Sequence, residues 1–159
     1  RLKTAVLLAA SLKIGALCGG AEEKDAQYLY EFGIGIGIAF QLKDDLLDVY
    51  GDTKDFGKEI GGDICCNKKT FLLINALNQA KENDHEELLK WIEKKEFNRS
   101  EKIEAITQIY NKLHLRQLTE SKMKEYYENA LDALRKINRS ESEKECFYQL
   151  ANKLMYRIS

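Results

Sequence analysis

The spacing of apolar residues predicts two long helices at the start of the chain. Residues 3–18 are apolar with small residues interspersed, and the pair Gly19-Gly20 that follows them is a typical helix stop. A second helix is predicted from about Ala21 to Tyr50. The chain is therefore expected to begin with a buried helix that is followed by a longer one.

The middle of the second helix has an ambiguous pattern. Residues 33–38 alternate glycine and isoleucine with a period of two, which is typical of a strand. Helix is still favoured, because both flanks have helical period, no turn residue interrupts them, and no partner strand is predicted elsewhere. Gly33 and Gly37 would then share one face of the helix, where they would let a neighbouring element pack closely.

The next segment, Gly51 to Asn67, is predicted to be a loop because four glycines stand among polar residues. A short helix from about Lys68 to Ala80 follows. The rest of the chain predicts four amphipathic helices, and three of their starts resemble a capping box, in which a short polar residue precedes a glutamate by three positions. These pairs are Asn83 and Glu86, Asn98 and Glu101, and Ser140 and Glu143.

Three apolar stripes on these helices are predicted to be core. They are Ile103, Ile106, Tyr110 and Leu113; Met123, Tyr126, Ala130, Leu134 and Ile137; and Phe147, Leu150 and Leu154. Proline is absent from the 159 residues and strong helix formers are abundant. A single all-α domain is therefore expected.

Composition narrows the class of protein further. The formal net charge of −1 gives no reason to expect nucleic acid or an acidic membrane surface as a partner. No apolar run is long enough to span a membrane. The four cysteines show no metal-ligand spacing, which favours reduced thiols in a cytoplasmic protein. His85 and His114 stand alone on polar helices and are expected at the surface or its boundary.

Three aspartates crowd one turn of the second helix. Asp44, Asp45 and Asp48 fall within about 100° of one another around a helix. Like charges at this spacing weaken a helix by about a few tenths of a kcal/mol, so the cluster does not serve helix stability. A divalent cation over it, Mg²⁺ above all, would explain it, and Lys58 and Lys68 downstream could contact phosphate oxygens.

Taken alone, the acidic turn is also compatible with a solvated helix face. Other metal and cofactor sites fit less well. The spacing lacks the oxygen pattern and central glycine of a Ca²⁺ loop, and no βαβ unit surrounds the glycine-rich segment. No P-loop, nucleophile elbow or zinc spacing is present.

The acidic turn and its surroundings resemble the trans-isoprenyl diphosphate synthases, which include farnesyl and geranylgeranyl diphosphate synthases. The run from Gly37 to Asp48, with Phe40-Gln41 before the aspartates, is similar to the second aspartate-rich motif of that family. The later Gly57-Lys58, Gly61, Asp63 and Lys68-Lys69-Thr70 keep the family's spacing, and Lys3-Thr4 resembles the pair found upstream of the motif.

The resemblance implies an all-α fold, the C-terminal part of the isoprenoid synthase helical bundle, around a deep cavity. It implies that Mg²⁺ ions hold an allylic diphosphate, that the diphosphate leaves, and that isopentenyl diphosphate attacks the resulting cation. By residue, it implies metal ligands at Asp44, Asp45 and Asp48, diphosphate-binding lysines at Lys3, Lys58 and Lys68, polar groups near the cation at Thr4 and Gln41, and a cavity wall at Phe40.

One departure from the family pattern matters. The family has a first aspartate-rich motif, whereas a single Asp-Asp-x-x-Asp occurs here. The chain is therefore expected to be the C-terminal half of a synthase, inactive alone, and the family resemblance implies a homodimer. The alternatives are a non-catalytic partner subunit of a synthase, a terpene cyclase-like fragment, and a plain helical interaction module.

Overall fold

The structure is a computed structural model that describes residues 1–51 and 60–156. Within those residues every regular element is a helix, which confirms the all-α prediction. The helices are α1 (Ala5–Cys18), α2 (Glu23–Tyr50), α3 (Gly62–Cys65), α4 (Phe71–Gln79), α5 (Glu82–Glu93), α6 (Arg99–Lys112), α7 (Leu115–Arg135) and α8 (Glu141–Tyr156). The prediction of a loop through Asn67 is wrong at α3.

The predicted helix stop after α1 is confirmed. Gly20 has a φ of +80°, in the left-handed region that glycine adopts without steric cost. Its N–H donates to the Leu17 carbonyl and the Ala21 N–H donates to the Ala16 carbonyl, both at 3.0 Å. These two bonds form a Schellman motif, which satisfies carbonyls that the end of α1 would otherwise leave unpaired.

The glycine-isoleucine segment is helical, as predicted, and its glycines are contact points. A Cβ added to Gly33 would lie 2.6 Å from the Ala9 Cα, and one added to Gly37 would lie 2.6 Å from the Ala5 Cα. Gly35 faces another helix, because a Cβ there would lie 2.7 Å from the Ala130 Cβ in α7. The segment therefore lets α1 and α7 approach the α2 backbone closely.

The chain divides into two compact units, and residues 1–43 and 121–156 belong to the first. One cluster of its buried apolar residues comes from α2, the later part of α7, α8 and the α7–α8 connection: Leu29, Phe32, Ile36, Ala39, Tyr127, Ala130, Ala133, Leu134, Ile137 and Ala151. The second and third predicted stripes pack here, except that Leu150 is half-buried and lies outside the cluster. Lys43 Nζ donates to the Met155 carbonyl at 2.8 Å, which caps the end of α8.

The second unit contains the described residues between Asp44 and Glu120. Its core is Leu46, Val49, Ile64, Leu72, Leu73, Ala76, Leu88, Ile106, Ile109, Tyr110 and Leu115, and the first predicted stripe packs within it. Helix α6 contacts α3, α4 and α5. The unit therefore assembles around α6, and this packing fixes α3 and the connection that follows it.

Two of the three predicted capping residues begin their helices. The Asn98 side chain accepts from the N–H groups of Ser100 and Glu101, and Ser140 makes reciprocal hydrogen bonds with Glu143. The prediction for Asn83 is wrong. Helix α5 begins at Glu82, because the Lys81 carbonyl already accepts from the N–H groups of the first turn.

The remaining sequence predictions concern single residues and membrane spans. No described helix is long and apolar enough to cross a membrane. All four cysteines are free thiols. His85 is half-buried and His114 is exposed, as predicted.

The capping box of α8 gives a first testable prediction. The Ser140 hydroxyl donates to Glu143 Oε2 at 2.7 Å, and this bond, with a second from the Ser140 N–H, lowers the pKa of the Glu143 carboxyl. Ser140→Ala is expected to raise that pKa toward its ordinary value, as measured by carboxyl-carbon NMR. The cap stabilises α8 above the ordinary carboxyl pKa, and its effect is lost as pH falls through the lowered pKa. An unchanged Glu143 pKa would contradict the assignment.

Candidate functional site

The acidic turn lies at the carboxyl end of α2. Asp45 is buried, at 5% exposure, whereas Asp44 and Asp48 are half-buried. The carboxyl end of a helix carries partial negative charge, so carboxylates are unfavourable there, and the last turn of α2 contains no basic residue. The acidic turn therefore places negative charge where the helix dipole makes it unfavourable, and a bound cation would reduce this repulsion.

Asp48 is held by the backbone at the start of α3. The Asp63 N–H donates to Asp48 Oδ2 at 2.9 Å, and the Gly61 N–H donates to the Asp48 carbonyl at 2.6 Å. Gly61 has a φ of +77°, and a Cβ at Gly62 would lie 3.3 Å from Asp48 Oδ1. Gly62 thus lets the chain run close beside this carboxylate, whereas a Cβ at Gly61 would meet the Ile103 side chain at 2.5 Å.

Within the described residues, Lys68 supplies a cation to this cluster. Its Nζ lies 2.5 Å from Asp63 Oδ2 and 3.6 Å from Asp45 Oδ1. The Lys68 N–H donates to the Asp63 carbonyl at 2.9 Å, so backbone and side chain both join Lys68 to Asp63. Thr70 caps the next helix, with its Oγ1 accepting from the Leu73 N–H at 3.2 Å. The connection from α3 to α4 therefore holds Lys68 beside the acidic turn.

Burial and the local charges together shift the pKa values of Asp48 and Lys68. Burial raises the pKa of Asp48, and the charges of Asp63 and Asp44 add to this, against the Asp63 N–H and Lys68, which lower it. Burial lowers the pKa of Lys68, but the hydrogen bond to Asp63 and the nearby carboxylates outweigh it and raise that pKa overall. Lys68 therefore stays protonated at neutral pH, inside an environment that is otherwise negative.

The carboxylates of the acidic turn fit a Mg²⁺ site that has few protein ligands. Among residues 1–51 and 60–156, no three histidine, cysteine, aspartate or glutamate side chains lie together as a metal-binding group. Mg²⁺ needs only one or two protein carboxylates, because water and substrate phosphates complete its shell. Within the same residues Asp44 makes no hydrogen bond or ion pair, so its oxygens are available to a ligand.

The other predicted site residues lie in the first unit. The Thr4 hydroxyl donates to Gln41 Oε1 at 2.9 Å, which ties the start of α1 to α2. Lys3 is exposed in the turn before α1, and Phe40 is half-buried on α2. The structure thus pairs two of these residues. Lys58 lies outside the described residues.

Two residues of the second unit acquire a role that spacing alone did not assign. Asp63 matched the family spacing, yet its ion pair with Lys68 follows only from the fold. Lys102 is fully buried, with its Nζ donating to Asn67 Oδ1 at 2.7 Å. A signal for Lys102 existed in the sequence, because it shares a helical face with Ile106 and Ile109, both buried in the core.

The chain is similar to known proteins over most of its length. The family model described as polyprenyl synthetase matches residues 1–112. The geranylgeranyl diphosphate synthase of Sulfolobus acidocaldarius is 37% identical over 138 residues, which are 86% of this chain and 41% of that relative.

Solved structures show the same fold. A geranylgeranyl pyrophosphate synthase superposes with a TM-score of 0.86 at 34% identity, over 99% of this chain and 49% of that one. The Corynebacterium glutamicum geranylgeranyl pyrophosphate synthase, solved with isoprenyl diphosphate and magnesium, gives a TM-score of 0.86 at 30% identity, over 99% and 44%. The chain spans less than half the length of each of these proteins. The family model nonetheless covers the acidic turn, the Lys68 connection and α6 together, and the chain belongs to the polyprenyl synthetase family.

Proposed function

We propose that the protein carrying this chain is a prenyltransferase that condenses an allylic diphosphate with isopentenyl diphosphate. One observation carries the proposal: a lysine side chain held beside a carboxylate-rich helix end, in a chain of this family. Lys68 and the acidic turn supply the two components that bind a metal–diphosphate complex. The similarity to geranylgeranyl and farnesyl diphosphate synthases supports the same activity.

The proposed chemistry breaks the carbon–oxygen bond of the allylic diphosphate. Diphosphate leaves with the electron pair of that bond, the double bond of isopentenyl diphosphate attacks the allylic cation, and the new cation transfers a proton to the released diphosphate and forms a double bond. Bound Mg²⁺ would neutralise the charge that develops on the leaving group. Asp44 would be its principal ligand, with Asp45 and Asp48 supporting the site directly or through water.

The chain's other residues would position the substrate. Lys68 would donate to diphosphate oxygens, since its pKa is raised and its ammonium is fixed by Asp63. Lys3 and Lys58 are proposed as further diphosphate ligands. Thr4 and Gln41 would present polar atoms to the cation, and Phe40 would wall the cavity. A homodimer and a cytoplasmic location are further proposals from the family resemblance.

We also propose that these 159 residues form the C-terminal half of the catalytic domain and do not turn over alone. The isolated chain, assayed with geranyl and isopentenyl diphosphates and Mg²⁺, is expected to give no product. A chimera in which the chain replaces its matching region of the Sulfolobus acidocaldarius enzyme is expected to give longer prenyl diphosphates. The relative itself is the positive control.

The two assays separate the candidate functions. Turnover by the isolated chain would contradict the half-domain proposal. A folded chimera without turnover would contradict a catalytic role and would favour a non-catalytic subunit. Release of a hydrocarbon in place of a prenyl diphosphate would indicate a cyclase.

A further inference from the structure

Lys102 on α6 is a buried cation without a charged partner. Its exposure is 0%, and among the described residues it pairs with no carboxylate. Its Nζ donates to the neutral amide oxygen of Asn67 at 2.7 Å and lies 4.2 Å from the Phe97 ring centroid. Burial lowers the pKa of Lys102, which reflects the cost of desolvating this ammonium. An apolar residue would fill this core position at lower cost.

Asn67, its partner, has an unusual backbone. Its φ is +50°, a left-handed conformation that asparagine tolerates better than most residues. Its Nδ2 donates to the Ile92 carbonyl at 3.0 Å, while its Oδ1 accepts from Lys102. The Asn67 side chain therefore bridges α5 and α6, and these contacts fix the turn from both sides.

The residue after this turn is Lys68. The Asn67 N–H donates to the Ile64 carbonyl and the Lys68 N–H donates to the Asp63 carbonyl. The direction in which Lys68 leaves the turn is therefore set by the conformation of Asn67. Lys68 Nζ then reaches Asp45 and Asp63.

We infer that Lys102 is a positioning residue for Lys68, acting through Asn67 to set the diphosphate-binding geometry. This inference deepens the proposed function and rests on it. Among the described residues, Lys102 forms no ion pair with the aspartates of the acidic turn, and its Nζ donates to Asn67. Lys102 would affect the reaction indirectly, because its hydrogen bond to Asn67 stabilises the left-handed turn that precedes Lys68.

The test uses Lys102→Met in the full-length protein that carries this chain. Methionine fills the volume but cannot donate to Asn67. We expect the KM for the allylic diphosphate to rise about tenfold, because displaced binding groups lose substrate contacts, with a smaller change in kcat. Lys95→Met is the matched control, because Lys95 is exposed on the connection before α6, and it should leave both constants unchanged.

Hydrogen exchange provides a readout that does not depend on activity. Backbone amides of Cys66, Asn67 and Lys68 donate within the turn, so their exchange should accelerate in Lys102→Met and not in Lys95→Met. Asn67→Gly is the second variant. Glycine keeps the left-handed backbone and loses both side-chain bonds, and it should reproduce the rise in KM even if Lys102→Met fails to fold.

The kinetic and hydrogen-exchange results test the proposed function and the positioning role separately. Absence of turnover in the unmodified protein would overturn the proposed function, whereas unchanged amide exchange in both variants would overturn the positioning role by itself. Faster exchange with an unchanged KM would also overturn it, because the turn would then not govern substrate binding.

Discussion

Asp44→Ala is expected to lower kcat by about a factor of 10² to 10³, because this is the usual effect of removing one group that stabilises charge in the transition state. The variant is made in whichever protein is active, either the full-length protein or the chimera. Asp44 makes no hydrogen bond or ion pair among the described residues, yet its charge acts on both Asp48 and Lys68. Its removal should therefore leave the fold intact while it disables the proposed metal site. Steady-state kinetics with allylic and isopentenyl diphosphates measure this effect.

Stability provides the control for this variant. Removing one of several like charges near the carboxyl end of α2 should leave the thermal midpoint unchanged or slightly raised. Asp132→Ala, at an exposed position on α7, should change neither kcat nor the midpoint appreciably. A near-normal kcat in Asp44→Ala would reject the metal role of this carboxylate. A lowered midpoint with lost activity would assign Asp44 to the fold instead.

Gly37→Ala is expected to destabilise the chain by about 1–3 kcal/mol, the usual cost of forcing an added methyl group into a packed contact. Its Cβ would lie 2.6 Å from the Ala5 Cα and 2.8 Å from the Ala5 Cβ. The α1 backbone would have to move away from α2, since no flexible side-chain end can yield. Chemical denaturation followed by circular dichroism measures the change.

Gly15→Ala is the matched control for that substitution. Gly15 also lies within a helix, but a Cβ there would have nothing within 4 Å. It should stabilise the chain by about 0.5–1 kcal/mol, because alanine loses less backbone entropy than glycine in a helix. If both variants shifted stability in the same direction, the close approach of α1 to Gly37 would not be a determinant of the fold.

The helices could be predicted from the sequence because their signals are local. Periodicity located α1 and α2, and the Gly19-Gly20 stop appears as a Schellman motif. The face shared by Gly33 and Gly37 was also predictable, because a period of 3.6 places them together. The element that packs against this face was not predictable, because the contact with α1 depends on the tertiary fold.

Predictions were wrong where a distant contact decides the conformation. Gly61 and Gly62 indicate a loop by composition, but the Asp48 carbonyl and carboxylate hold the backbone that begins α3. The burial of Lys102 on α6 likewise depends on a distant residue. Lys102 is buried because Asn67, a residue far away in sequence, supplies its acceptor.

Metal-dependent diphosphate binding at the acidic turn can be measured by calorimetric titration of the full-length protein with inorganic pyrophosphate, with and without Mg²⁺. We expect binding in Mg²⁺ that weakens at least about tenfold, or about 1.4 kcal/mol, when the metal is chelated or when Asp44 is replaced by alanine. Equal affinity with and without the metal, or in the Asp44→Ala variant, would contradict the claim that the acidic turn binds a metal–diphosphate complex.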